Sequence, residues 1–373
     1  MDTATIAAIA TPPGEGGIGV VRISGPDAAT IAGRVVRRPG RQRQPLDLTR
    51  VPSHRLLYGR IVDPETGEAI DEALLAWMQG PHTYTREDTV ELSCHGGPVP
   101  LRETLRVVLA SGARHAERGE FTLRAFLNGR LDLTQAEAVL NVIGARTAES
   151  LRLAVADLAG DLARRLEPAN RALVGLLAYL DAAADFPDDE IEVSDIDAGL
   201  AAAEAALRDV VAGARAGMLY RDGVQIAIVG RPNVGKSSLL NALLRMDRSI
   251  VTPVAGTTRD VIAETVNLRG IPATLLDTAG IAETDDPVER IGVERSRRAL
   301  ATAAAVVFVV DGATPPTSQD LEVARLLAHR PPDQQTPVVL VLNKRDLPEH
   351  ADQHAVRQLL PAAPAVEVSA TTG

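Results

Sequence analysis

A single cysteine, Cys94, has no second thiol to pair with, so the 373-residue chain is not a small domain stapled by intrachain disulfides. Basic residues are outnumbered: 39 Lys and Arg stand against 49 Asp and Glu, a formal charge of -10. That balance excludes a protein that coats nucleic acid through bulk positive charge, and any RNA partner must be held locally. The N-terminus lacks the basic-then-apolar layout of a secretory signal. The longest apolar runs, such as Ala172 to Leu180, fall far short of the ~20 residues that cross a bilayer. No membrane role and a cytoplasmic location are expected. What the chain does have is 45% apolar and 24% charged residues, the balance of a globular protein able to bury a core. At about 150 residues per domain its length implies two to three domains.

Three textures divide it into a multidomain α/β protein. Residues 1–118 alternate short β-type runs (Ile18 to Ile23, Leu74 to Met78, Thr89 to Ser93) with Gly and Pro punctuation and one helix near Leu101 to Ala110, the pattern of an α+β domain. Residues 119–217 turn to Ala, Leu and Arg with apolar positions three and four apart, an α-helical domain. Its segment Asp181 to Asp197 carries eight carboxylates and no base, either a solvated helix connection or a surface that repels or positions RNA. Residues 218–373 carry apolar strands at Val224 to Val229, Thr274 to Leu276, Ala305 to Val310, Val338 to Leu342 and Ala365 to Val368, with helical stretches between them. This alternation predicts a mostly parallel sheet with helices on both faces.

Gly14-Glu15-Gly16-Gly17-Ile18-Gly19 fits the G-x-G-x-x-G dinucleotide pattern, but that pattern needs a strand before it and a helix after it. Thr11-Pro12-Pro13 precedes it and a strand-like Val20-Val21-Arg22-Ile23 follows, so nicotinamide binding is rejected.

Gly230-Arg231-Pro232-Asn233-Val234-Gly235-Lys236-Ser237 matches G-x-x-x-x-G-K-[ST] between a strand ending at Val229 and a helix beginning near Ser237, with Ser238 next in line. Glycines there let backbone N–H groups turn inward around phosphates, Lys236 supplies a point charge, and the Ser237 hydroxyl can ligate Mg²⁺. Asp277-Thr278-Ala279-Gly280 ends a later strand, an acid for the Mg²⁺ shell and a glycine amide for the γ-phosphate. Asn343-Lys344-Arg345-Asp346 follows the strand Val338 to Leu342, and a carboxylate at Asp346 can accept two hydrogen bonds from guanine N1 and its exocyclic amine, a donor pair adenine lacks. Ser369-Ala370-Thr371 ends the last strand, placed to offer N–H to guanine O6. Four elements in order at strand ends imply GTP. Thr252-Pro253-Val254-Ala255-Gly256-Thr257-Thr258 has the place of a switch that orders around a γ-phosphate, with Thr258 completing the Mg²⁺ shell. Ile281 follows Gly280, so the water-positioning glutamine of many GTPases is absent. Glu283, Asp285, Asp286 and Glu289 are the acids that could replace it.

With these residues the sequence resembles the tRNA-modification GTPase family called MnmE or TrmE over essentially its whole length. The phosphate loop alone also resembles ribosome-assembly GTPases; the flanking stretches decide. These are Ala10-Thr11-Pro12-Pro13-Gly14 through Arg22-Ile23-Ser24-Gly25, Tyr84-Thr85 with Glu87, Asp88 and Glu91, His95-Gly96-Gly97, and Gly119-Glu120-Phe121-Thr122-Leu123-Arg124-Ala125-Phe126 through Leu131-Asp132-Leu133-Thr134-Gln135-Ala136-Glu137-Ala138. The resemblance implies an N-terminal folate-binding and dimerising domain over residues 1–118, a G domain over 218–373 inserted into a helical domain begun at 119–217, and a FAD-dependent partner, MnmG. The pair would place a carboxymethylaminomethyl-type group on the wobble uridine of certain tRNAs, using a one-carbon unit of 5-formyltetrahydrofolate. Folate contacts map to Arg22, Glu91 and Arg130; the last stands where the family carries lysine, a planar fork in place of a point charge.

The family also resembles potassium-activated GTPases, whose paired G domains use K⁺ where others use an arginine finger. Asn233, Thr252, Val254 and Thr257 fall at the K⁺ positions, and Glu289 at that of the acid that orients water. Glu289 also fits an ordinary acid in the first turn of a helix. Relative to the family, the chain stops at Thr371-Thr372-Gly373, before the last G-domain helix, the second half of the helical domain and a cysteine-bearing tail. The expectation is a truncated form with apolar surface left uncovered. Arg34 to Arg60 holds eight arginines, one acid (Asp47) and one aromatic (Tyr58), a loop that either meets tRNA phosphates or is a solvated insertion. Cys94-His95 lacks the companions of a metal site, so a buried thiol is expected, and Trp77 is expected in the core. Beside the leading reading stand a ribosome-assembly GTPase and a non-enzymatic folate-binding scaffold.

Overall fold

The structure, a computed structural model, describes residues 4–38, 45–185, 196–246, 263–277, 300–329, 336–348 and 352–372. Two compact units form: Met1–Leu140 with Leu158–Gly160, and Asn141–Asp157 with Asp161–Gly373.

The first unit is built on a seven-stranded sheet. Its strands are β1 (Ile6–Ile9), β2 (Gly16–Ser24), β3 (Val36–Arg37), β4 (Arg55–Val62), β5 (Ala69–Met78), β6 (Thr89–Gly96) and β7 (Arg114–His115), in the order β3-β4-β5-β6-β2-β1-β7. All neighbours are antiparallel except β1 and β7. Alternation sets the faces: Val21 and Ile23 of β2, Leu75 and Trp77 of β5, and Val90, Leu92 and Cys94 of β6 are buried together. Helices α1 (Ala28–Val35) and α2 (Pro98–Ala110) cover them, through Ile31, Ala32 and Val35 and through Leu101, Leu105 and Val108. The last three are spaced four and three apart, one stripe of a helix, and Pro98 opens that helix where a missing N–H costs nothing. Burying each large aliphatic side chain contributes about 1.5–3 kcal/mol.

Two expectations are corrected here. Residues 34–60 are not one loop: Arg34 lies in the last turn of α1, Arg37 is in β3, and Arg55 and Arg60 lie on β4, because Val35, Val36, Ile61 and Val62 are apolar positions that the core takes. Arg34 donates to the Ser111 carbonyl at 2.9 Å, Arg50 meets Asp47 at 3.0 Å and Arg60 meets Glu72 at 3.3 Å, so much of that charge is spent locally. The N-terminal region also holds a second helix, α1, which is short and follows a Gly-Pro pair that reads as a turn. Trp77 and Cys94 are buried as expected. Burial pushes the Cys94 thiol up, and no group of metal-binding side chains occurs among the described residues.

Five helices follow: α3 (Glu120–Leu127), α4 (Leu133–Gly144), α5 (Ala148–Leu158), α6 (Asp161–Asp185) and α7 (Ile196–Asp222). Asp132 starts α4 by a reciprocal cap: its carboxylate accepts from Gln135 N at 2.8 Å, while Gln135 Oε1 accepts from Asp132 N at 2.9 Å. Helix α3 is tied into the first unit, where Arg124 Nη2 donates to the Ala4 carbonyl at 2.8 Å. No helix is long and apolar enough to cross a membrane among the described residues.

The second sheet has strands β8 (Val224–Val229), β9 (Ala263–Leu268), β10 (Ile271–Asp277), β11 (Ala305–Asp311), β12 (Val338–Asn343) and β13 (Ala365–Glu367), in the order β13-β12-β11-β8-β10-β9. It is parallel throughout except for the β9–β10 hairpin. Its central strands β8, β11 and β12 bury apolar residues on both faces, as a parallel sheet covered on both sides requires. Ala227, Val229, Phe308, Val310, Leu340 and Leu342 face α9 (Ser318–Ala328) and α10 (Gln353–Arg357). Ile226, Ile228, Val309 and Val341 face α8 (Lys236–Met246) through Leu239 and Leu240.

Candidate guanine-nucleotide site

The carboxyl ends of β8, β10, β11 and β12 bring the phosphate and base motifs to one edge of the second sheet, where open α/β sheets bind ligands. Val229 closes β8, and α8 opens directly at Lys236, so the loop 230–235 is the whole connection. The loop backbone curls back on itself through left-handed residues, with Asn233 at φ +65° and Gly235 at φ +94°. A Cβ on Gly235 would run into Asn343 Nδ2, so that position tolerates only glycine. The Lys236 ammonium is buried in the loop and donates to the carbonyls of Gly230 (2.9 Å) and Arg231 (3.0 Å). Ser237 and Ser238 are exposed on the first turn of α8, beside the buried Lys236.

Asn343 ends β12 and is 1% exposed. Its Nδ2 donates to the Val234 carbonyl at 2.9 Å and its Oδ1 accepts from Ala370 N at 3.0 Å, joining the phosphate loop, the base segment and the loop after β13. In that last loop, Ser369 Oγ accepts from the amides of Thr371 (3.2 Å) and Thr372 (3.0 Å), which fixes the turn. Lys344 takes a left-handed backbone (φ +66°), and Asp346 stands exposed.

An ion network that the motifs did not reveal underlies these segments. Asp311, the last residue of β11, receives Lys344 Nζ at 2.8 Å and the amide of Ala313 at 3.0 Å. Arg231 Nη2 lies 3.9 Å from the same Asp311 oxygen, and its Nε is 3.1 Å from buried Asp320 in the capping turn of α9. Burial pushes the Asp311 carboxyl up, but the Lys344 ammonium and the Ala313 amide outweigh it and hold the group below the usual carboxylate range. Arg231 lay inside the phosphate-loop motif unassigned; an acid closing an apolar strand on the ligand edge was the available signal for Asp311.

Asp277 closes β10, as expected for its motif. Thr252, Pro253, Val254, Ala255, Gly256, Thr257, Thr258, Thr278, Ala279, Gly280 and Glu289 lie outside the described residues.

A second cluster stands in the first unit. Arg22 and Glu91 are directly opposite on β2 and β6, and Nη2 meets Oε1 at 2.8 Å. The Arg22 guanidinium lies 5.5 Å from the ring centres of both Tyr84 and Phe121; that of Arg130 lies 4.8 Å from Tyr84 and donates to its carbonyl at 3.3 Å. Arg22 and Arg130 therefore meet at one tyrosine ring, Tyr84, with Phe121 beside Arg22 and Glu91 joined to them through Arg22. Beneath lies a buried polar network: Glu120 accepts from Arg114 (2.6 Å) and Arg124 (3.0 Å), and Arg124 also meets Glu87 (3.1 Å), which accepts from Ser24 Oγ at 2.7 Å. The G-x-G-x-x-G run enters β2 between β1 and β6, with no helix at its end, and carries no dinucleotide cradle. His95 is occupied by Asp71, Nδ1 to Oδ1 at 2.6 Å.

A mostly parallel sheet carrying a phosphate loop at the end of its first strand and an Asn–Lys segment at the end of β12, its Asn343 buried, defines a P-loop GTPase. Residues 225–344 match the family model described as 50S ribosome-binding GTPase, and residues 5–130 match GTP-binding protein TrmE N-terminus. The "tRNA modification GTPase MnmE" of Roseiflexus castenholzii is 53% identical over 350 residues, 93% of this chain and 72% of that protein. That of Symbiobacterium thermophilum is 50% identical over 376 residues, covering 100% of this chain and 80% of the relative. Among solved structures, Era from Aquifex aeolicus bound to GDP.AlF4- matches 40% of this chain and 52% of its own at 31% identity, with a TM-score of 0.32. The chain belongs to the tRNA modification GTPase MnmE family, as a GTP hydrolase of tRNA modification.

Proposed function

We propose that this GTPase acts with a FAD-dependent partner, MnmG, to place a carboxymethylaminomethyl-type group on the wobble uridine of tRNA, working as a homodimer with 5-formyltetrahydrofolate. The observation that carries the nucleotide half is the Asn343 strut, which ties the phosphate loop to the base segment. The cradle's amides and Lys236 bind the β and γ phosphates, Asp346 accepts from the guanine edge, and Ser369 to Thr371 offer N–H to its O6. Ser237 and Thr258 would hold Mg²⁺, with Asp277 near its shell; Asn233 would hold K⁺ together with Thr252, Val254 and Thr257. When bound, the two cations neutralise charge that develops on the phosphate oxygens. Glu289 orients the attacking water, since Ile281 has no polar group to do so.

The folate half is supported by the donor set of the first unit. Arg22, Glu91 and Arg130 combine a carboxylate, two guanidinium groups and the faces of Tyr84 and Phe121, the chemistry that a flat heterocycle with an acidic tail requires. The planar Arg130 suits an anion or a stacked ring as well as the family's lysine does. A ribosome-assembly role is disfavoured by the match of residues 5–130 to the TrmE N-terminus and by relatives that span nearly the whole chain.

The test is GTP turnover by the purified protein in K⁺ against Na⁺ at several protein concentrations, alongside folate binding followed by quenching. Turnover that rises with K⁺ and with concentration, and folate affinity lost in Arg22→Ala, are expected. Equal rates in the two cations would remove potassium from the account.

A further inference from the structure

Lys344 follows the Asn343 strut in the base segment, and its side chain is held from below by an acid. Its ammonium rests on Asp311 Oδ2 at 2.8 Å, with the lysine side chain one-third exposed and the aspartate side chain 9% exposed. The same carboxylate oxygen stands 3.9 Å from the phosphate-loop residue Arg231, whose other contacts are Asp320 (3.1 Å) and Thr314 Oγ1 (3.1 Å). Asp311 is itself fixed: it pairs in register with Asn343 across β11 and β12, its Oδ1 accepts from Ala313 N, and the Gly312 amide donates to the Asn343 carbonyl at 2.7 Å. A rigid anion at a strand end thus lies between one cation of the base segment and one of the phosphate loop.

We propose that Asp311 is a positioning residue for guanine-nucleotide retention: it pins the Lys344 ammonium so that the lysine stem lies ready along the base, and it ties that stem to Arg231 of the phosphate loop. This rests on the guanine-nucleotide site described above. A lysine carries about 2 kcal/mol of rotamer freedom, which a nucleotide would otherwise have to freeze on binding. Prior pinning removes part of that cost, so its loss is worth at most about thirtyfold in affinity, the same ~2 kcal/mol converted. Because the proposal routes the action of Asp311 through Lys344 and gives it no role in cleavage, the loss falls on retention and KM, and the rate of cleavage at saturation is set elsewhere.

The experiment measures dissociation of a fluorescent GDP from the full chain by stopped flow, with KM and kcat for GTP in parallel, for the parent, Asp311→Asn, Lys344→Met and the double variant. Asn keeps an oxygen for Ala313 N and removes the charge; Met keeps an apolar stem for the base and removes the ammonium. Each single variant is expected to release GDP about tenfold faster with raised KM, and the double variant no faster than Lys344→Met alone. Additive effects, or an unchanged off-rate in either single variant, would overturn the proposal. If Asp311→Asn does not fold, Lys344→Met against Lys344→Arg decides it from the exposed side: Arg, which can still reach the carboxylate, must retain GDP better than Met, and equal retention overturns it. A parent with no preference for GDP over ADP would refute the site itself, an outcome distinct from a parent that prefers GDP while the variants behave like it.

Discussion

Asn343 Nδ2 donates to the Val234 carbonyl across 2.9 Å, so a side chain at the end of β12 holds the backbone of a loop 109 residues earlier in the chain. The same amide group accepts from Ala370, which makes Asn343 a strut between three loops. Replacing it with Ala leaves the buried Val234 oxygen and the Ala370 amide without this partner. The expected cost is about 2–3 kcal/mol of stability and a weaker grip on GDP, read by thermal melting and calorimetry. An unchanged melting temperature would contradict the strut.

The polar network under α3 carries a pH signature. Hydrogen bonding from Arg114 holds the Glu120 carboxyl down, against an upward push from burial, with help from the Glu117 amide and Arg124; the group is lowered to about 2. A folded-state value below the unfolded one means that this contribution is fully present above about pH 4.5 and is lost as the pH falls toward about 2. Glu120→Gln should flatten the acid limb of the stability curve in that window. Arg124→Met, which takes a buried cationic partner from both Glu120 and Glu87, is expected to cost about 3 kcal/mol, measured by urea unfolding at neutral pH.

Gly270 turns the β9–β10 hairpin with φ +94°, and a Cβ there would stand 3.0 Å from Glu149 Cβ and 3.3 Å from a ring carbon of Tyr220. Its carbonyl accepts from Thr147 Oγ1 at 2.6 Å, at the start of α5. Gly270→Ala is therefore expected to destabilise by about 1–3 kcal/mol, because both the left-handed backbone and the close approach oppose a side chain. A melt matching the parent would show that the hairpin tip can shift at no cost.

Glu289→Ala should leave GTP binding intact while hydrolysis falls at least ~10²-fold, the usual loss of a catalytic acid–base group. Single-turnover kinetics at saturating GTP check it. A rate within about threefold of the parent, far short of that loss, would return Glu289 to an ordinary helix acid.

The parts of the site legible in the sequence are those whose chemistry sits on consecutive residues. Gly230 to Ser237 and Asn343 to Asp346 declare themselves because a phosphate cradle and a base-reading segment each need several residue types side by side at a strand end. The apolar runs of β8, β11 and β12 were legible for a related reason: buried on both faces, their central residues are apolar, with Gln225 breaking the pattern only near the start of β8. Strand β9 was not, since Glu264, Thr265 and Asn267 break its apolar pattern at a sheet edge. Partners distant in the chain left no trace either. Arg231 finds Asp320 89 residues away and Arg22 finds Glu91 69 away, and only the register of strands and the packing of their loops decide such pairs. Glu120 and Arg124 were visible only as family-like residues; that they are a buried ion pair follows from packing.

The most direct test of the guanine-nucleotide site is a calorimetric titration of the intact protein with GDP and with ADP, each with Mg²⁺. A site built to hydrogen-bond the guanine edge rejects a base lacking those donors, so GDP should bind at least about a thousandfold more tightly than ADP. Equal affinities for the two nucleotides would contradict the account.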